Sequence, residues 1–193
     1  DINPHSDTED VVFSTALATL EATRKQLDRN ALQKAVELVA GKKKLFLFGL
    51  GGSNIVAMDA FHKLVRTGIN CNFAGDFHLQ LMLASQMETG DVALVVSHTG
   101  ENLDTISLAE EIRKRKAVLI VLTSSGHSPL ARAADVLLTV WPATSTPVSE
   151  SFSARLAQLV VIDILYVDIM EALGDAGVDS LQRMRDTIAS RRT

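Results

Sequence analysis

Cysteine is almost absent. The single Cys71 in 193 residues excludes an internal disulfide and fits a reducing, cytoplasmic compartment. Long apolar runs are absent too. None approaches the ~20 residues that cross a bilayer, and no leader pattern opens the chain. No membrane partner is therefore expected. Positive charge is not in excess, and a formal net charge of −4 argues against a nucleic-acid surface covering the whole chain. No glycine- or proline-rich linker divides the sequence and no internal repeat is visible. Two nucleotide signatures fail: Gly49-Leu50-Gly51-Gly52-Ser53-Asn54 ends in asparagine where a dinucleotide fingerprint needs glycine, and no Gly-Lys-Ser/Thr is present. What remains is a chain with 47% hydrophobic and 22% charged residues, long enough for one well-buried α/β domain.

The pattern of that domain is strand–loop–helix, repeated. Apolar runs at Leu45–Phe48, Ile69–Phe73, Val92–Val96, Ala117–Leu122 and Asp135–Val140 read as strands buried on both faces of a parallel sheet. Helical periodicity fills the intervals and continues from Phe152 to Leu173 and from Leu181 to Ala189. Asp76 and Ser128 stand as caps, the latter before Pro129. Two helices precede the first strand: Val11–Leu27, with Val12, Ala16, Leu20 and Leu27 on one face, and Asn30–Ala40, capped by Asn30. They are more than a minimal domain needs and are expected to be a linker or a dimerisation element. Asp1–Asp10 is a loose lead-in, Lys42-Lys43-Lys44 a solubilising edge, and the arginines near the C-terminus a solvated end. Asp1 is not methionine, so the chain is expected to be a piece of a longer protein or to lack early residues.

Two loops carry the chemistry. Gly49-Leu50-Gly51-Gly52-Ser53-Asn54 follows the first strand, and Ser97-His98-Thr99-Gly100-Glu101-Asn102 follows the third. Each runs into a helix whose first N–H groups lack partners and whose dipole favours an anion. Ser97, Thr99 and Asn102 add side-chain donors. Simple capping by Thr99 or Asn102 asks for the same residue types. Five strands alternating with helices predict a three-layer α-β-α sandwich around a five-stranded parallel sheet. In a flavodoxin-like 2-1-3-4-5 order, both loops face one crevice at the switch point. That juxtaposition favours a phosphate cradle. Glu150, just ahead of the long Phe152–Leu173 helix, is either a dipole partner or a ligand contact. His78 is either a solvated helix residue or a site residue.

Several motifs in this order resemble one family. Gly49-x-Gly-Gly-Ser53, Asp76-x-His78-x-Gln80, Ser97-x-Thr99-Gly100-x-Asn102-x-Asp104-Thr105, Ser128-Pro129-Leu130 and Glu150-Ser-x-Ser153-x-Arg155-x-Ala-Gln158 are similar to the sugar isomerase (SIS) phosphosugar-binding domain. More narrowly, they resemble the effector domain of RpiR-type bacterial regulators. The likeness covers about Lys42 to Ala172. It implies leading helices over residues 1–41, a SIS domain over 42–193, and a helix-turn-helix DNA-binding domain missing from the N-terminal side. Ser53, Ser97, Thr99 and Asn102 would hold the phosphate, and His78, offered by a partner subunit, and Glu150 would reach the sugar. Gly52, Asn54 and His98 complete the expected ligand-binding set. The family has serine at the position of Thr99, where the hydroxyl is kept, and threonine at the position of Asn102, whose amide still donates. The implied function is sensing of a sugar phosphate by a dimer, with no catalytic residue, cofactor or metal of its own. An aldose–ketose isomerase, with Glu150 and His78 as base and ring-opening group, is the alternative.

Overall fold

The computed structural model describes residues 8–41, 44–143 and 147–191; the side chains of residues 147–150 lie outside that description. The sequence expectations for residues 1–7, for Lys42 and Lys43 and for Arg192 likewise lie outside the described residues. Five strands, β1 (Leu45–Gly49), β2 (Cys71–Phe73), β3 (Val92–Ser97), β4 (Val118–Thr123) and β5 (Val136–Thr139), form one sheet in the order β2-β1-β3-β4-β5. Every pairing is parallel, with Leu45 opposite Val92 and Val92 opposite Val118. This is the predicted order, and it places β1 beside β3 at the switch point.

Period-two alternation divides the core between the two faces. Leu45, Leu47, Leu94, Val96, Ile120 and Leu122 point to one side. There they meet α2 (Arg29–Ala40), α3 (Gly52–Leu64) and α7 (Pro147–Leu173). Phe46, Phe48, Ala93, Val95, Leu119 and Val121 point to the other. Against them lie α4 (Phe77–Ser85), α5 (Leu103–Lys114) and α6 (Pro129–Ala133). β1 and β3 are buried along their whole length, as a sheet covered on both faces requires. Truncating a fully buried leucine here, such as Leu47 or Leu122, costs about 2–5 kcal/mol. A 3₁₀ turn (Val65–Thr67) follows α3, and α8 (Asp175–Ala189) packs against it.

Three local expectations are corrected. The second leading helix is capped by Asp28, not Asn30: Asp28 is extended and its carboxylate accepts from the N–H groups of Asn30 (2.8 Å) and Ala31 (3.1 Å). A carboxylate also complements the helix dipole, which an amide does only weakly. Of the apolar face expected on the first helix, Leu20 of α1 (Thr8–Gln26) and Leu27 just beyond it pack against the core, but Val12 is 59% exposed. The helix turns Thr19 and Thr23 inward, where their hydroxyls accept from the backbone N–H of Ala143 (2.9 Å) and Trp141 (3.0 Å) beyond β5. Helix α7 begins at Pro147, a residue suited to a first turn, so position 150 lies within the helix and not ahead of it.

Candidate functional site

The two loops do converge. β1 ends at Gly49, where the chain doubles back so closely that a Cβ would lie 2.6 Å from the carbonyl oxygen of Ser53; only glycine fits that approach. The turn is held from below by Gln80 of α4, which is fully buried. Its amide oxygen accepts from Gly49 N (3.3 Å), and its nitrogen donates to the carbonyls of Gly49 (2.8 Å) and Ala74 (3.0 Å). Gln80 therefore sets the shape of the loop that opens α3.

The second loop is braced by β4. Thr123 Oγ1 donates to the carbonyl of His98 (3.1 Å), as does Ser124 N (3.0 Å), while His98 Nδ1 meets Ser124 Oγ at 2.9 Å. Asn102 is the cap of α5, its side-chain oxygen accepting from Thr105 N (3.1 Å). The choice between Thr99 and Asn102 is thus decided, and the amide NH₂ is the part of Asn102 left to donate. Ser97 Oγ accepts from Gly100 N (3.1 Å) and Thr99 Oγ1 accepts from Glu101 N (3.4 Å). A hydroxyl that accepts from the backbone still has its own proton to give. Both are thereby oriented as donors beside the start of α5.

Between the loops lies a cleft of about 260 Å³. Six of the expected residues line it: Gly52 and Ser53 at the start of α3, and Ser97, His98, Thr99 and Asn102 around the start of α5. Asn54 does not. Its amide nitrogen donates to the carbonyl of Gly75 (3.1 Å) and its oxygen meets Gln80 Nε2 at 3.4 Å, so it belongs to the loop's scaffold. His78 stands exposed in the first turn of α4 and is not among the lining residues. The side chain of Glu150 lies outside the described residues.

Helix α7 supplies a third wall that the sequence argument left without a role: Ser151, Arg155 and Gln158. Arg155 is the one lysine or arginine among the described lining residues, and no aspartate or glutamate is among them. Its guanidinium sits over the Phe152 ring, 5.9 Å from the centroid, a cation–π arrangement that holds it in place. It also covers Gly52, where an added Cβ would collide with Nη2. The cleft thus joins two helix starts, several hydroxyls and two amides to one cation. That is an arrangement for an anion with oxygens on several sides. Arg155 and Gln158 had a legible signal: a cation and an amide one turn apart on a helix that otherwise buries Ala154, Ala157, Val161 and Ile162.

Among the described residues no cluster of histidine, cysteine, aspartate and glutamate has the makings of a metal site. No described helix is long and apolar enough to cross a membrane.

Comparison with known proteins adds independent information. The SIS domain family model matches residues 38–168. The HTH-type transcriptional regulator HexR of Escherichia coli K12 is 36% identical over 181 residues, covering 94% of this chain and 62% of HexR. The HTH-type transcriptional regulator RpiR of the same organism is 33% identical over 166 residues, covering 86% of this chain and 56% of RpiR. The chain therefore spans less than two thirds of the length of these relatives. Among solved structures, the Vibrio vulnificus NanR protein complexed with ManNAc-6P superposes with a TM-score of 0.89 at 27% identity, over 100% of this chain and 73% of that one.

Proposed function

Because this chain belongs to the SIS domain family, we propose that its cleft takes the phosphate of a phosphorylated sugar and that the chain is a sensing domain. The observation that carries the reading is the cleft's charge: hydroxyl donors at the starts of α3 and α5 and the Arg155 guanidinium, with no described carboxylate among them. A dianionic phosphate is the group such a set accommodates, and its sugar would extend towards α7. The regulators to which the chain is similar support the rest of the reading. Ligand would bias the domain between two arrangements and alter DNA binding by a helix-turn-helix domain outside this sequence, in the cytoplasm of a bacterium. Sensing needs only that differential affinity. An isomerase needs in addition a base placed to move a proton between adjacent carbons, and His98 is the only titratable base among the described lining residues.

Self-association is part of the proposal. On α7, Phe152, Leu156, Val160 and Val167 form an outward stripe, each more than 40% exposed, beside the exposed Phe13 and Leu17 of α1. Spaced at four, four and seven residues, they fit a second copy of the same surface. His78 would then serve a neighbouring subunit's cleft, and Glu150 would reach the sugar. Light scattering at micromolar concentration tests the dimer; a monomer refutes it.

The test of the cleft is a thermal-shift series with phosphosugars, each beside its unphosphorylated parent, on the wild type and on Ser97→Ala. The expected result is a concentration-dependent rise for one phosphosugar, absent for its parent and lost in the variant. No rise with any phosphosugar refutes the reading. An NMR time course on the responding sugar separates binding from turnover.

A further inference from the structure

The buried face of α7 is apolar except at Ser153 and Gln158. Ala154, Ala157, Val161, Ile162 and Leu165 are each at most 2% exposed, and Gln158 among them is 2% exposed. Its amide nitrogen has no hydrogen-bond partner among the described residues. Gln80 shows what this chain does elsewhere with a buried glutamine: three backbone groups and a side chain are arranged around its amide. A buried amide left unpaired is unfavourable, because it has given up water and received nothing in return. Leucine or methionine at position 158 would suit the surrounding core without that penalty. Gln158 also lines the cleft, one turn beyond Arg155. The other buried amide nitrogen without a partner, Asn72 Nδ2, lies on edge strand β2 and not at the cleft.

We propose that Gln158 is a ligand-recognition residue, whose amide donates a hydrogen bond to an oxygen of the phosphosugar bound in the cleft. The inference rests on the reading above that the cleft takes a phosphosugar. The free chain holds the donor ready and unsatisfied, so binding restores a hydrogen bond without first breaking one. Ligands that cannot place an oxygen at the cleft floor leave the amide unpaired and are discriminated against.

The test uses the 193-residue chain, its Gln158→Met variant and its nearly isosteric Gln158→Glu variant. The probes are glucose 6-phosphate, fructose 6-phosphate, N-acetylmannosamine 6-phosphate and arabinose 5-phosphate, titrated at pH 8. The expected result is an unliganded Gln158→Met chain that melts at or above the wild type. Its affinity for the responding phosphosugar falls about tenfold. Gln158→Glu, which turns lone pairs towards the ligand, binds more weakly still. Equal affinity in Gln158→Met or Gln158→Glu and the wild type overturns the assignment while leaving the cleft reading intact. A Gln158→Met chain that melts several degrees lower also overturns it, since the amide then has a structural partner. A wild type that responds to none of the probes overturns both.

Discussion

Thr19 and Thr23 allow a sharp test of how the leading helix is attached. Both are threonines on the inward face of α1, 0% and 4% exposed, and each accepts from a backbone N–H more than 100 residues away. Valine has nearly the shape of threonine but offers no acceptor. Thr19→Val therefore leaves the Ala143 N–H without its partner and changes little else. Stranding a buried donor costs about 1–3 kcal/mol, and because this bond is part-buried the lower part of that range, about 1–2 kcal/mol, applies. In a domain of this size each kcal/mol lowers the melting temperature by about 2–4 °C, so a fall of about 2–8 °C is expected. Thr23→Val acts likewise on Trp141. The double variant should lose no more than the sum, because the two bonds pin one segment and the second matters less once the first is gone. Amide hydrogen exchange supplies the local readout: protection at Ala143 should fall in Thr19→Val before protection of β3 changes. Ser14→Ala, on the exposed side of the same helix, is the control. A Thr19→Val chain with unaltered melting and unaltered exchange at Ala143 would refute the reasoning.

Three further outcomes follow from the cleft and the sheet edge. Asn102→Asp keeps the acceptor that caps α5 but brings a negative charge to the cleft; the melting temperature should stay within about 2 °C while phosphosugar affinity, measured by calorimetry, drops about tenfold or more. Gly52→Ala places a methyl where the Arg155 guanidinium sits. It should weaken phosphosugar binding while holding or raising thermal stability, since alanine is the better helix former by up to about 1 kcal/mol. Burial pushes the Cys71 thiol up to about 12. Its folded value then lies above its unfolded one, so this contribution to stability is full below about pH 9 and is lost as pH rises towards 12. Urea unfolding of wild type and Cys71→Ser across that range measures the difference, and alkylation at pH 8 should require denaturant.

Much of the architecture was legible because a parallel sheet covered on both faces leaves an unbroken apolar record. β1, β3 and β4 stand out in that way, and the two polar loops at their ends identify the switch point. Asp76 and Ser128 cap as expected, accepting from Leu79 N (3.0 Å) and Ala131 N (3.2 Å). What escaped the sequence argument has a common cause: periodicity counts apolar residues, and several decisive contacts here are polar and inward. α1 turns Thr19 and Thr23 towards the domain beside Leu20, which packs against the core, and exposes Phe13 and Leu17. Asn54 and Ser53 are neighbours in one glycine loop, yet Asn54 is drawn to Gly75 by a bond that exists only because α4 lies beneath. Arg155 and Gln158 sat in plain view, but their role depends on how α7 crosses the end of the sheet.

Gln80 has a further consequence, for how binding can be lost. The hydrogen bonds that shape the loop after β1 come from a residue 31 positions away on α4. The pairing of β1 with β3, Leu45 opposite Val92, is made without α4. A local opening that frees α4 therefore removes the support of the glycine loop while leaving that strand pairing in place. The domain can go blind to its ligand with its sheet still assembled.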